Sequence, residues 1–137
     1  MTDTLTGACG CGAVTFAIDA SPVGASYCHC TRCQRRSGTA ASVQIQLAPG
    51  SFRVLTGADQ LAAWRPDPGF EKWFCGACGS ALYSRNPADH EQIAVRMGAL
   101  DNDPGIRPAL RQFVTYAAAW EPIPDDGLPR YPERRPA

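Results

Sequence analysis

Seven cysteines set in three tight groups constrain this chain more than any other feature of it. The first group is Cys9-Gly10-Cys11, followed by Gly12. The second is Cys28-His29-Cys30-Thr31-Arg32-Cys33. The third is Cys75-Gly76-Ala77-Cys78, followed by Gly79. An odd count does not close a disulfide framework. The opening MTDTLTGACGCG has neither the basic start nor the apolar run of a secretory leader. No stretch approaches the ~18 consecutive apolar residues of a membrane span. A reducing, cytoplasmic setting is therefore expected, where clustered cysteines serve as metal ligands or nucleophiles.

Zinc takes four protein ligands in a closed structural site, and three plus an open position in a catalytic one. Seven cysteines divide that way. The third group lies between apolar segments, Trp73-Phe74 before and Ala81-Leu82-Tyr83 after, and has the spacing of a zinc knuckle. Gly79 can take the positive φ that turns backbone N–H groups toward the sulfurs. The first group offers two more thiolates from a tight turn. Cys9, Cys11, Cys75 and Cys78 are expected to hold one structural zinc. A redox dithiol of the thioredoxin kind would need a βαβ setting, and strand patterns flank this CxxC instead.

The second group packs three thiolates into six residues. If Cys28, Cys30 and Cys33 share one metal, its fourth position is open. A second structural site completed by His29 or another residue, or a regulatory disulfide, are the other readings. His29 sits between two ligands, so its ring is expected to point away from the sulfurs. His90, in Asp89-His90-Glu91, reads as a solvated loop residue.

The 137 residues suit one domain, large enough to bury roughly two-thirds of its unfolded surface. Twelve prolines and thirteen glycines chop the chain into short elements. Between them the pattern has period two: Val14, Phe16 and Ile18; Val43, Ile45 and Leu47; Phe70, Lys72 and Phe74; Ile93, Val95 and Met97. Gln112 to Trp120 also starts as a strand. Leu61–Trp64 fits a strand or a turn. The one helical candidate is Thr31–Ser37. A mainly β fold with very little helix is expected. Residues 122–137 carry five prolines and read as an extended strap or a disordered tail on a domain spanning 1–121. Thirteen basic residues balance thirteen acidic ones, which gives no electrostatic case for nucleic acid or an anionic membrane. Every basic residue but Lys72 is arginine, a bias read here as compositional.

The chain resembles the glutathione-dependent formaldehyde-activating enzyme family, which also includes centromere protein V. GACGCGAVTF, YCHCTRCQRRSG, FCGACGSALYS and VRMGALD carry the resemblance in order, and it extends through Trp120 to Leu128-Pro129-Arg130-Tyr131. It implies several twisted antiparallel β-sheets of the Mss4-like kind, stabilised by zinc knuckles. It implies structural zinc on Cys9, Cys11, Cys75 and Cys78, and a second, catalytic-type zinc on Cys28, Cys30 and Cys33. The implied activity is that of a carbon–sulfur lyase or synthase, joining glutathione and formaldehyde as S-hydroxymethylglutathione or running in reverse. Family members often carry a histidine shortly before the last strand. Arg111 stands there, so any pocket role of that histidine loses its residue.

On this reading the thiol enters beside Cys28, Cys30 and Cys33. Arg35 or Arg36 binds a glutathione carboxylate through paired N–H donors, with Ser37 beside them. Ser37 and Thr39 also suit a helix-end cap. A tension accompanies it: three thiolates on one zinc leave a net negative charge, which weakens its hold on a fourth anion. Three other readings stand beside the enzyme. One is a non-catalytic zinc module that binds or carries a partner. A nucleic-acid module is disfavoured by the charge balance. A methionine sulfoxide reductase-like enzyme would need a redox cysteine outside the metal sets.

Overall fold

The computed structural model of the protein describes residues 4–136. Residues 1–3 and 137, the outermost of the expected domain bounds, lie outside the described residues. In chain order the elements are β1 (Leu5–Ala8), β2 (Thr15–Ile18), β3 (Gly24–Cys28), α1 (Thr31–Ser37), β4 (Ser42–Gln46), β5 (Phe52–Thr56), β6 (Leu61–Trp64), β7 (Glu71–Cys75), β8 (Ala81–Asn86), β9 (Asp89–Arg96) and β10 (Arg111–Gln112). Three single-turn 3-10 segments, including Val114–Tyr116, complete the regular structure among the described residues. The fold is mainly β, as the residue pattern and the resemblance both imply.

The strands form two sheets. One has the order β1-β2-β5, and the other β10-β3-β4-β9-β8-β7-β6. All pairs are antiparallel except β10 with β3, which is parallel. The expectation of antiparallel sheets is corrected at that edge. The chain reaches β10 only after a long irregular segment, which lets it enter in the same direction as β3.

Register sorts the larger sheet into two unlike faces. Ala25, Ile45, Val95, Tyr83, Trp73 and Ala63 follow one another across neighbouring strands. This face meets the smaller sheet. Phe52 of β5 lies 5.4 Å from Phe16 and 4.7 Å from Tyr83, centroid to centroid, and Tyr83 stacks on Trp73. Phe16, Ile18, Ile45, Leu82 and Val95 are fully enclosed there. Burial of such side chains stabilises by about 1.5–3 kcal/mol each. The sequence puts Ala17 outward, but it too is buried, because β2 is the middle strand of its sheet.

The other face is polar. Ser26 pairs with Gln44, and Gln44 with Arg96. Cys28 pairs with Ser42, and Lys72 lies between Trp64 and Ser84. Ser26, Ser42, Gln44 and Ser84 are nonetheless buried and joined by side-chain hydrogen bonds, and α1 packs against β4. Buried polar groups of this kind are satisfied by bonding to one another.

Two expectations fail locally. Gln112–Trp120 is not a strand beyond Gln112. Phe113 takes φ 57°, Val114–Tyr116 turns, and the Phe113 and Val114 amides donate to Glu133 and Tyr131 instead of a neighbouring strand. His90 is exposed, but within β9 rather than in a loop.

The proline-rich segment runs beside β10. Arg111 N–H donates to the Pro129 carbonyl, and Tyr131 N–H to that of Arg111, each at 2.9 Å. The Arg111 side chain lies 4.0 Å above the Tyr27 ring and donates to Asp126 at 2.8 Å. Arg111 thus ties down the strap. Arg111 holds Asp126 below the ordinary carboxylate range. A carboxylate with a lowered folded pKa contributes fully above its unfolded value of about 3.9, and the contribution is lost as pH falls through the lower folded value. Asp126→Asn is expected to speed amide exchange at Tyr131 and tryptic cleavage after Arg130 at neutral pH. The unsubstituted chain should reach that state only below about pH 4.

Candidate metal centres and the cleft between them

The turn between β1 and β2 carries Cys9 and Cys11, and the turn between β7 and β8 carries Cys75 and Cys78. The two turns follow one plan. Cys9 N–H donates to the Val14 carbonyl and Cys75 N–H to the Ser80 carbonyl, five residues on in both cases and at 3.0 Å. Gly12 and Gly79 each take φ 80°, where a side chain would be strained. Amides turned inward reach the sulfurs, as Val14 N–H does to Cys9 Sγ at 3.3 Å.

These turns bring the four sulfurs within 4.8 Å of one another. Cys9 and Cys11 Sγ are 3.6 Å apart, and Cys11 and Cys75 Sγ 4.0 Å. Zinc lies about 2.3 Å from each thiolate, which sets tetrahedral sulfurs about 3.8 Å apart. The donor set fits a zinc ion without rearrangement. It joins the smaller sheet to the larger one.

Ser80 completes this junction, a role that no local sequence pattern announces. Its hydroxyl accepts from Gly10 N–H at 2.9 Å and lies 3.2 Å from Cys78 Sγ. One side chain thereby clips one turn to the other. The Ser80 hydrogen bonds also hold the Cys78 thiol down to about 5. At Cys9 burial works upward, but the Val14 amide and the Cys11 and Cys75 thiols bring it below the ordinary thiol value.

The second cluster forms where β3 runs into α1. Cys28 ends the strand. Cys30 caps the helix, its sulfur accepting from Cys33 N–H at 3.3 Å. Cys33 is buried in the first turn. The three sulfurs also lie within 4.8 Å of one another, and among the described residues no fourth ligand joins them. His29 is not in the group. Its ring is buried on the other side, Nε2 lying 3.2 Å from Arg111 Nη1. Hydrogen bonds from Cys28 and Cys30 hold Cys33 down to about 2, while Cys28 and Cys30 are pushed up. As thiols, the set surrenders one proton readily and keeps two, and a metal ion displaces the protons that remain. This cluster fits zinc with one position open.

A cleft of about 600 Å³ lies between the clusters. Gly10 and Ser80 line it from one side, Cys33 and Ser42 from the other, with Arg36 and Arg96 between. A second hollow of about 550 Å³ adjoins it across α1, lined by Arg32, Arg35, Arg36, Trp64 and Phe74. Arg35 is exposed on this outer hollow. Arg36 lines both. Its Nη2 donates to the Trp73 carbonyl at 3.0 Å, while Nη1 is buried with no partner among the described residues. Ser37 lines the inner cleft, but its hydroxyl is engaged with the Cys33 carbonyl at 2.7 Å and with Thr39.

Arg36, Lys72 and Arg96 share a property invisible in the sequence. Each is partly buried, each feels the negative charge of Cys33, and none has a carboxylate partner among the described residues. Burial pushes the Arg36 guanidinium down to about 10. Lys72 stands in phase with Phe74 along β7, and Arg96 sits in VRMGALD. Only the cross-strand register reveals that both lie on the polar face of the larger sheet, the face that also carries Cys28.

Comparison with known proteins agrees with this architecture. A Halomonas elongata protein, named provisionally as a glutathione-dependent formaldehyde-activating enzyme, is 28% identical over 106 residues, covering 72% of this chain and 67% of that one. A crystal structure of a Rhodobacter sphaeroides protein superposes with a TM-score of 0.59 at 23% identity, over 92% of this chain and 98% of that one, and so shares the fold. The family model described as glutathione-dependent formaldehyde-activating enzyme matches residues 4–116. With that match over most of its length, the chain belongs to the glutathione-dependent formaldehyde-activating enzyme family.

Proposed function

We propose that this protein joins a small thiol of the glutathione type to formaldehyde, forming an S-hydroxymethyl thiol, and catalyses the reverse carbon–sulfur cleavage. The observation that carries the reading is the incomplete three-sulfur set at the wall of a cleft lined by unpaired cations. In this reading Cys9, Cys11, Cys75 and Cys78 hold a structural zinc. Cys28, Cys30 and Cys33 hold a second, catalytic-type zinc, which supplies a site where an incoming thiol is kept deprotonated at neutral pH. The cytoplasm suits seven cysteines that must stay reduced.

The remaining work falls to this chain's own residues. Arg36, with an unpaired buried N–H, anchors one substrate carboxylate at the junction of the two hollows. Exposed Arg35 meets a second carboxylate in the outer hollow. Ser37, bonded to the Cys33 carbonyl, holds the end of α1 and so the position of Cys33. Arg36 and Arg96 offset the surplus negative charge of a three-thiolate zinc, which restores room for a fourth anion.

Metal analysis should find two zinc ions per chain. Cys33→Ala should lose one while keeping the fold. Cys75→Ala should lose the other and lower the thermal midpoint by roughly 10 °C or more. Two ions that both resist chelation and ignore glutathione would favour a non-catalytic zinc module.

Exchange NMR on glutathione and formaldehyde tests the reaction. The unsubstituted protein should speed their interconversion above the spontaneous rate, and Cys33→Ala should not. Arg36→Met should raise KM for glutathione by roughly 10-fold or more and leave that for 2-mercaptoethanol nearly unchanged. Interconversion at the spontaneous rate with both zinc sites filled would end this reading.

A further inference from the structure

Lys72 is the one lysine in a chain with twelve arginines. It occupies the polar face of the larger sheet, on β7, between Trp64 of β6 and Ser84 of β8. Ser84 accepts a hydrogen bond from Arg96 of β9 at 3.2 Å, and Arg96 reaches on to Gln44 of β4. This row leads to Ser42 and Cys28 at the three-cysteine cluster. Lys72 is partly buried, yet it makes no side-chain hydrogen bond or ion pair among the described residues. A half-buried amine without a partner requires an explanation.

The proposed reaction supplies one. A thiol must lose its proton before sulfur attacks the aldehyde carbon. The addition leaves an alkoxide that must gain a proton. The two transfers cancel, so a single group can make both. Arginine is unsuited to that task, since it stays protonated at any working pH. A lysine withdrawn from water is suited to it. Glu71, the neighbouring carboxylate, is occupied with Arg65, Arg85 and Trp73 on the opposite face. His29 faces Arg111.

We propose that Lys72 carries the proton from the incoming thiol to the alkoxide oxygen of the product. This rests on the thiol–aldehyde reading above. The thiol S–H gives its proton to neutral Lys72 Nζ. The sulfur lone pair forms the C–S bond while the C=O π pair moves onto oxygen. That oxygen takes the proton from the Lys72 ammonium, and the amine returns to its starting state. In cleavage the same amine takes the hydroxyl proton and returns it to sulfur. Both directions require neutral Lys72, so both rates rise with pH through its pKa.

The surroundings set that pKa from several sides. Burial pushes it below the ordinary lysine value, and Arg96 adds to the effect. Cys33, Cys30 and Cys28 act in the opposite sense. Trp64 and Ser84, its cross-strand neighbours, bring no charge.

The test compares Lys72→Met and Lys72→Arg with the unsubstituted protein, all in the zinc-loaded form. Exchange NMR measures interconversion in both directions across pH. Lys72→Met should keep both zinc ions and the thermal midpoint, lose roughly 100-fold in kcat, change KM for glutathione little, and lack the ascending pH limb. Lys72→Arg keeps the charge but cannot carry the proton, and should be similarly slow. A Lys72→Met protein within a factor of about three of the unsubstituted rate overturns the proposal. So does a fully active Lys72→Arg, which leaves charge alone as the requirement and also decides the matter should Lys72→Met fold poorly. Absence of interconversion by the unsubstituted protein removes the reaction itself, a different outcome. A second readout needs no turnover. Trace acetylation of Lys72 by acetic anhydride, measured by peptide mass spectrometry against the chain's own α-amino group, should slow severalfold when glutathione binds. An unchanged rate overturns the placement of Lys72 beside the thiol.

Discussion

The arrangement depends on the junction of two cysteine turns that belong to different sheets. Cys9 and Cys11 come from the smaller sheet, Cys75 and Cys78 from the larger. Their sulfurs meet at tetrahedral spacing, and the Ser80 hydroxyl spans from the Gly10 amide toward Cys78. The same junction forms one wall of the cleft, so the element that holds the sheets together also fixes the distance across which the second cluster faces them. An ion bound there would act on the cleft through geometry, by setting where Gly10 and Ser80 stand relative to Cys33. It would also bind only the folded chain, and so stabilise the pairing of sheets by mass action.

The larger sheet does a second job through its two faces. One face joins Phe16, Phe52, Tyr83 and Trp73 in the core. The other buries serines and a glutamine, with the seven-residue helix packed on β4. Burying polar groups costs free energy unless they bond to one another. Here they do, from Ser26 through Gln44 to Arg96 and Ser84. Such a network suits a face that must carry charge toward a site while excluding bulk water. It also explains the short helix. α1 contributes little apolar surface, but it delivers Cys30 as its cap, Cys33 in its first turn and Arg36 in its last.

The cysteine groups were legible because ligand chemistry fixes both residue type and spacing. The strands around Val43–Leu47 and Ile93–Met97 followed from period-two alternation, and Thr31–Ser37 stood apart as the one helical candidate. β3 did not, because Gly24, Ala25 and Ser26 carry no apolar alternation, and its place is set by neighbours β4 and β10. Gln112–Trp120 misled for a related reason. Its aromatic and β-branched residues suit a strand, but the proline-rich segment takes up its amides first. Arg111 stood in the sequence only as a departure from the family's histidine. In the fold it binds Asp126, Tyr27 and His29 and secures the strap. Ser80, Arg96 and Lys72 were beyond any local pattern, since what matters about each is the residue opposite it on another strand or turn.

Charge connects these pieces. Three thiolates around one zinc carry a net negative charge, and read from the sequence alone that set should repel a further thiolate. The fold answers with Arg36 and Arg96, neither neutralised by a carboxylate among the described residues. Uncompensated cations in a partly buried cleft are costly to desolvate, and anionic groups relieve that cost. The cysteines and the cations therefore need each other, and together they leave positive charge to spare. A substrate that brings a thiolate and carboxylates fits that surplus, whereas a neutral thiol would leave part of it unmet. The overall charge balance of the chain conceals this, because its carboxylates pair with arginines elsewhere: Asp19 with Arg53, Asp103 with Arg107, Glu71 with Arg85 and Asp126 with Arg111. Neutrality of the whole is thus compatible with a cleft whose cations have no carboxylate partner among the described residues.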